Sequence, residues 1–151
     1  MAMVYRHMLD ESGETLTLLS QELKYIGAYQ FLLKERFGEA IQFVEEIPQE
    51  ALTRYVVPLG LQIVIENCVK HNAATADQPL TIHMYISNQG DYLCVDNNIL
   101  TKPGIIDSPG LGLKNIQRRY AFFTTQPVTT HQEGGKFKVC LPLLVSKEIV
   151  K

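Results

Sequence analysis

The sequence predicts a two-layer α/β sandwich, in which a mixed, largely antiparallel sheet is covered on one face by helices. Three observations indicate this class: helical and strand-like stretches are intermixed, two pairs of strand-like runs are joined by short turns, and two helical stretches carry an apolar stripe. The chain has 151 residues, of which 46% are apolar. That length is sufficient to bury one core, so a single ordinary globular unit is expected.

The first helix is predicted to begin at Thr17 as its N-cap and to end near Phe37, before Gly38. Its apolar positions alternate three and four residues apart. This spacing is typical of a coiled-coil seam, and equally of a helix that packs on its own core. The seam has one polar member, Gln30, and its other positions are Leu19, Leu23, Ile26, Leu33 and Phe37. Residues 4–9 are interpreted as the end of a preceding helix, and residues 41–46 as a short strand that Pro48 ends.

Two hairpins supply the predicted sheet. Residues 80–87 alternate apolar and polar side chains, and the turn at residues 88–91 leads into a second run at 92–95. A further pair is predicted at residues 127–132 and 136–141, around the Gly134-Gly135 turn. Between the hairpins, residues 112–123 are predicted to form a helix.

The stretch 61–72 is predicted to be a helix with an apolar stripe and a polar face. The stripe consists of Leu61, Val64, Ile65 and Cys68, and the polar face of Glu66, Asn67, Lys70 and His71. Oxygen atoms of Glu66 and Asn67 suit a hard cation such as Mg²⁺, and the donors of Lys70 and His71 suit phosphoryl oxygens one turn later. The alternative is a solvated surface helix with an ion pair between Glu66 and Lys70.

Two further segments bear on chemistry. Asp96 follows the run that ends at Val95, and a carboxylate there accepts a hydrogen bond from an exocyclic amine such as that of adenine. The alternative is an ordinary strand-ending turn. Gly110 and Gly112 precede a helix start, where the backbone can approach a ligand and free N–H groups attract phosphate, although most such glycine pairs are plain loops.

Composition excludes several classes of function. The formal net charge of −2 gives no electrostatic reason to expect a nucleic-acid or anionic-membrane partner. No stretch approaches the roughly 18 apolar residues of a membrane span. Cys68, Cys94 and Cys140 have no CxxC spacing and lie in apolar stretches. They are interpreted as small buried hydrophobes in a reducing compartment, rather than as a disulfide or metal site.

In their order and spacing, these segments resemble the ATP-binding domain of sensor histidine kinases, in its LytS-like subgroup, within the wider group that includes gyrase and MutL. Residues 61–72 resemble the N box, residues 95–98 the G1 box, and residues 110–120 the G2 box with its following helix. The resemblance implies a Bergerat-type ATP-binding fold. It divides the chain into residues 1–37, the end of the dimerisation region with a connecting helix, and residues 38–151, the catalytic domain.

The resemblance also implies roles for single residues. Asn67 would ligate Mg²⁺, Lys70 and His71 would contact phosphate, and Asp96 would accept from the adenine amine of ATP. Glu66 would polarise the attacking group or orient the magnesium shell. Gly110 and Gly112 would let backbone N–H groups meet the phosphates. The residues implied to lie beside the nucleotide include Leu111, Leu113 and Lys114. The implied reaction transfers the ATP γ-phosphoryl group to a histidine, and then to a response regulator, in this subgroup often a DNA-binding one of LytTR type.

The chain departs from the family pattern in three respects. Asn98 stands where the G1 box has glycine, the lid segment 99–109 is short and contains Pro103 and Pro109, and no phosphoacceptor segment occurs. The segment around His7 resembles the end of the second dimerisation helix and not the phosphoacceptor site. The acceptor histidine is therefore expected outside this chain, on the dimerisation helix of a longer homodimeric membrane sensor, with this part in the cytoplasm and without membrane contact. The alternatives are a degenerate, non-catalytic signalling module and a serine kinase like those of anti-sigma factors.

Overall fold

The computed structural model describes residues 15–100 and 111–145. The predictions for residues 4–9, His7, Gly110 and most of the lid segment lie outside the described residues. The helices are α1 (Leu19–Phe37), α2 (Gly60–Lys70) and α3 (Leu111–Ala121), with 3₁₀ turns at Gly38–Ala40 and Gln49–Thr53. The strands are β1 (Thr17–Leu18), β2 (Ile41–Glu46), β3 (Tyr55–Val56), β4 (Leu80–Ile86), β5 (Tyr92–Asn98), β6 (Thr129–Glu133) and β7 (Lys136–Pro142).

The main sheet has five strands in the order β2-β4-β5-β7-β6. Only the β2–β4 pair is parallel, and its connection runs through α2. Both predicted hairpins, β4–β5 and β6–β7, are present. The second hairpin turns through Gly134 and Gly135, whose φ angles of 60° and 76° match the positive values that a two-residue turn requires. The predicted fold class is thus confirmed.

The helices cover one face of this sheet. A Cβ atom placed on Gly60 of α2 would lie 3.9 Å from a methyl group of Leu141 in β7, which identifies the covered face. Leu93 and Val95 of β5 and Val139 of β7 are buried on the same side. The alternate residues of these strands point to the other side. We call that side the open face, because none of the helices among residues 15–100 and 111–145 packs on it.

The helix α1 packs on the common core. Leu19, Ile26 and Leu33 are buried, and Leu23 and Phe37 are partly buried against them. The core interpretation of its apolar stripe is therefore confirmed, while the division of the chain at residue 37 stays a prediction. No helix in the part of the chain that the structure describes is long and apolar enough to cross a bilayer.

The predicted N-cap of α1 is wrong. Thr17 lies in β1 and pairs with Val56 of β3, and the residue that precedes the helix is Leu18, which makes no side-chain capping bond. The physical reason is a contact distant in sequence, since the backbone of Thr17 is ordered by a strand rather than by the helix that follows. Gly38 ends the helix, as predicted.

Buried polar groups hold the segment that leads into α2. Leu59 has a left-handed backbone, with φ 66° and ψ 1°, and its N–H donates to Oε2 of Glu22 at 3.2 Å. Two residues earlier, the Val57 N–H donates to the hydroxyl of the fully buried Tyr120 at 3.3 Å. A left-handed non-glycine residue costs about 1–2 kcal/mol, so Glu22 on α1 helps to fix where α2 begins.

Candidate functional site

The helix α2 presents its two faces as predicted. Its stripe of Leu61, Val64, Ile65 and Cys68 is buried in the core. On the other side, Glu66 and Lys70 are exposed, while Asn67 and His71 are half-buried. Oε1 of Glu66 accepts a hydrogen bond from Nε2 of Gln62 at 3.1 Å, so that carboxylate is oriented from within its own helix.

The amide of Asn67 faces the first turn of α3. Its Nδ2 is buried and has no hydrogen-bond partner among the described residues. A Cβ atom on Gly112 would lie 3.9 Å from this Nδ2 and only 2.8 Å from Cγ2 of Ile63. Only glycine therefore allows α3 to start this close to α2. Two segments 45 positions apart in the sequence, at residues 67 and 112, meet at one place.

The other predicted residues near Gly112 differ in exposure. Leu111 and Lys114 are exposed, and Leu113 is half-buried against the core. Exposed backbone and a cationic side chain at the start of a helix can meet an anion, because the first N–H groups of a helix lack intrahelical partners.

The structure does not bring Asp96 to this place. The prediction that the strand ends at Val95 is wrong, and so is the alternative of a strand-ending turn, because β5 continues through Asn98 and pairs with both β4 and β7. Asp96 therefore points to the open face, where its Oδ2 lies 4.0 Å from Nδ1 of His83. Nε2 of the same histidine lies 2.6 Å from Oε1 of Glu46.

Asn97, which the sequence interpretation gave no role, lies on the helix side instead. It is 2% exposed and pairs with Ile82 of β4 and Phe137 of β7. Its Nδ2 donates to the carbonyl of Asn98 at 2.8 Å, which leaves Oδ1 as its acceptor. The signal that identifies it is the period of two that runs from Leu93 through Val95 to position 97.

A second amide joins the end of α2 to the end of β5. Nδ2 of Asn72 donates to the Cys68 carbonyl at 2.7 Å, and its Oδ1 accepts from the Leu100 N–H at 2.6 Å. The Ala73 N–H donates in turn to the Leu100 carbonyl at 3.1 Å. The polar end of α2 and the exit of β5 are thus fixed side by side.

A cavity of about 410 Å³ adjoins this region, between the end of α1 and the end of α2. Lys70 and Asn72 contribute to its wall, but Asn67, Asn97 and Gly112 do not. We therefore regard it as a neighbour of the site formed by Asn67 and Gly112, and not as that site.

The oxygen atoms that Asn67 and Glu66 offer suit a cation that is also bound by substrate phosphates and water. No group of three His, Cys, Asp or Glu side chains within residues 15–100 and 111–145 is arranged to hold a metal ion. Asn67 and Glu66 supply an amide and a carboxylate on adjacent residues. Mg²⁺ is commonly bound by one or two protein oxygen ligands together with substrate phosphates and water. The residues present therefore fit magnesium bound with a nucleotide.

Comparison with known proteins gives related sequences. The chain is 27% identical over 118 residues to the sensor histidine kinase BtsS of Escherichia coli K12, and 29% identical over 120 residues to the sensor protein kinase HptS of Staphylococcus aureus USA300. These alignments cover 76% and 80% of the chain. The chain spans about a fifth of the length of these relatives, 21% in each case. No family model matches.

Solved structures share the fold. The catalytic domain of histidine kinase ThkA superposes with a TM-score of 0.59 at 14% identity, covering 89% of this chain and 98% of that one. The cytoplasmic segment of histidine kinase QseC gives a TM-score of 0.57 at 17% identity, covering 85% of this chain and 76% of that one. The arrangement of helices and sheet described above is therefore that of histidine kinase catalytic domains.

Proposed function

From its relation in sequence to sensor histidine kinases and from the fold of their catalytic domains, we propose that this chain is the ATP-binding catalytic domain of such a kinase. The observation that carries the proposal is the meeting of Asn67 and Gly112. The buried Nδ2 of Asn67, which has no hydrogen-bond partner among the described residues, lies at the start of α3, where Gly112 leaves room for Ile63. Nδ2 is a donor, so Mg²⁺ would take the other atom of this amide, Oδ1, and the first backbone N–H groups of α3 would donate to phosphate beside it.

The proposed roles follow from the chemistry of each group. Asn67 ligates Mg²⁺ through its amide oxygen, and Glu66 orients the magnesium shell or the attacking group. Lys70 and His71 contact the phosphates one turn later. The backbone from Leu111 to Lys114 lies beside the nucleotide, and for Gly110 we propose the role of a phosphate contact. Mg²⁺ neutralises charge on the phosphoryl oxygens when it is bound. The reaction, transfer of the γ-phosphoryl group to a histidine, depends mainly on this positioning and charge neutralisation.

For the adenine base, we propose Asn97 in place of Asp96. Asn97 is buried on the helix side of β5, whereas Asp96 lies on the open face, with its Oδ2 4.0 Å from Nδ1 of His83. With Nδ2 bound to the Asn98 carbonyl, Oδ1 is the atom that accepts a hydrogen bond from the exocyclic amine of adenine. An uncharged acceptor gives a weaker bond than a carboxylate would, so modest ATP affinity is expected.

The receiving histidine belongs to another segment. His83 and His131 are each engaged with a glutamate, Glu46 and Glu133, on strands of the sheet. We therefore propose that phosphate passes to a histidine on the protein's own dimerisation helix in a homodimer, and then to a response regulator. We propose further that this regulator is of LytTR type. The domain would work on the cytoplasmic side of a membrane sensor, without binding nucleic acid itself.

The competing function is a non-catalytic signalling module of the same fold. One observation favours it. Asn97, the last helix-side residue of β5, carries an amide, and Asp96, the only carboxylate of this strand, faces the other way. The serine kinase of anti-sigma-factor type has no such observation in its favour.

Thermal unfolding with and without Mg²⁺-ATP tests the proposal. Nucleotide at a hundred times its dissociation constant should add about 2.7 kcal/mol of stability, a shift of several degrees for a domain of this size. Asn67→Ala and Asn97→Ala should reduce the shift. The matched control is Asp96→Asn, which alters the open face and should leave the thermal shift unchanged. Absence of a shift in the unmodified chain at millimolar nucleotide would leave the non-catalytic module as the function.

A further inference from the structure

Two cysteines face each other on the open face of the sheet. Cys94 of β5 and Cys140 of β7 are direct partners in the antiparallel register. Their neighbours Leu93 and Leu141 point into the core, so both thiols lie on the side away from the helices. The structure records both as free cysteines, with Cys94 buried and Cys140 half-buried. Neither has a part in the proposed nucleotide site.

The hydrogen-bond pattern identifies the kind of pair they form. The Leu143 N–H donates to the Asp91 carbonyl at 2.9 Å, which makes Asp91 and Leu143 a hydrogen-bonded pair. Pairs alternate along an antiparallel ladder, so Tyr92 and Pro142 form a non-hydrogen-bonded pair, and so do Cys94 and Cys140. Proline at position 142 agrees with this assignment, because it has no N–H to donate.

This geometry suits a labile disulfide. Cα atoms of non-hydrogen-bonded pairs are about 4.5 Å apart, whereas disulfides span about 4.4–6.8 Å, so the bond could close at the short end of its range. Disulfides near the limit of their geometry are strained and more easily reduced. The pair is therefore built for reversible oxidation rather than for a permanent cross-link.

The two thiols differ in acidity. A hydrogen bond from the Cys94 thiol lowers the pKa of Cys140 to about 7, with help from the charge of Lys138 and a bond from Thr129. The same bond and burial raise the pKa of Cys94. Cys140 is thus the thiolate that attacks first, since the thiolate is the nucleophile. By contrast, burial in the core raises the pKa of Cys68 to about 12.

We propose that Cys94 and Cys140 form a redox-active dithiol that closes to an intrachain disulfide by exchange with a small-molecule disulfide. The Cys140 thiolate attacks one sulfur of that molecule, breaks its S–S bond and releases the first small thiol. The Cys94 thiol then loses its proton and attacks the Cys140 sulfur, which releases the second. Two electrons and two protons pass from the pair to the small molecule, which is reduced to two thiols.

The test is equilibration of the folded chain in mixtures of reduced and oxidised glutathione, followed by acid quenching and mass analysis. The expected product has lost two hydrogens, and its digest contains a peptide pair joined through Cys94 and Cys140. Cys68→Ala, in the core, should react in the same way. Cys140→Ser should not react. Cys94→Ala should retain one glutathione on Cys140, because nothing is left to displace it.

Two results would overturn the proposal. One is an unmodified chain at glutathione ratios that oxidise a small model dithiol, and the other is a cross-link that involves Cys68 or joins two molecules. Alkylation by iodoacetamide near neutral pH gives an independent check without any substitution. Cys140 should be modified first, and prior reaction of Cys94 or Cys68 would contradict the assigned order of attack.

Discussion

Glu22 is a carboxylate buried in the core. It is 1% exposed, and one of its oxygens has no hydrogen-bond partner among the described residues. Burial raises its pKa from 4.5 to about 7, against the lowering effects of the Leu59 N–H bond and the charge of Arg119. The folded chain therefore holds a proton that the unfolded chain releases between these two pH values. The contribution of Glu22 to stability is largest below pH 4.5 and is lost as the pH rises through about 7.

We predict that Glu22→Gln makes the chain more stable at pH 8 and removes part of its pH dependence. The neutral amide keeps an acceptor oxygen for the Leu59 N–H and avoids a buried charge. A pKa difference of this size corresponds to about 3 kcal/mol at most, and the gain should be smaller because the new NH₂ group lacks a partner. Urea unfolding at pH 5 and pH 8 measures it. Glu35→Gln, exposed on the same helix, is the control, and equal pH dependence in wild type and Glu22→Gln would contradict the prediction.

At the scale of elements, the contact between α2 and α3 decides the geometry of the candidate site. Gly112 allows the first turn of α3 to lie against Ile63 and Asn67 of α2. A methyl group here would need Ile63 to move, since 2.8 Å is shorter than a carbon–carbon contact. The two helices are otherwise held by the shared core, in which Ile116 and Tyr120 of α3 are buried with Leu61 of α2.

Gly112→Ala should destabilise the chain by about 1–3 kcal/mol and weaken the thermal shift by Mg²⁺-ATP, because α3 is displaced from Asn67. Ile63→Ala removes the colliding carbon, so the double variant should lose less stability than the sum of the single losses. Gly27→Ala in α1 is the control. No atom lies within 4 Å of its added carbon, and the change should raise stability by up to about 1 kcal/mol. Additive losses in the double variant would show that the two residues do not collide.

Local periodicity was enough to predict the helices, most strands and the two hairpins, but not the pairing of strands that are distant in the sequence. The polar face of α2 followed from a 3.6-residue repeat, and Gly112 from its position before a helix. The N-cap assigned to Thr17 failed because β1 pairs with Val56, far along the chain. The strand end predicted at Val95 was wrong because β5 pairs with β7 through Asn98. Asn97 was missed for the same reason, since a residue placed beyond the end of a strand is not assigned to either face of the sheet.

For the molecule as a whole, the position of each strand in the sheet determines how local stability is distributed. β5 is paired on both sides, and its residues Leu93, Cys94 and Val95 are at most 3% exposed. β6 is an edge strand, and all five of its residues are exposed. Local opening costs least where few buried contacts are lost.

We therefore expect amide hydrogens of β5 to exchange with solvent most slowly, and those of β6 much faster. Hydrogen exchange read by NMR or mass spectrometry measures this order. The helix α2 should resemble β5, because its stripe lies in the same core. Equal protection of β5 and β6 would mean that the sheet opens only as one unit.

The alternation along β5 places Asp96 on the open face and its neighbour Asn97 on the helix side. This limits how the proposed adenine contact can change in evolution. A one-residue shift in the register of the whole of β5 would carry Asp96 to the helix side, but it would also expel Leu93 and Val95 from the core and bring Cys94 inward. A register shift is therefore not a tolerated way to bring a carboxylate to the helix side. Codons for asparagine and aspartate differ by one nucleotide, so a point mutation at position 97 exchanges an amide for a carboxylate without disturbing the strand.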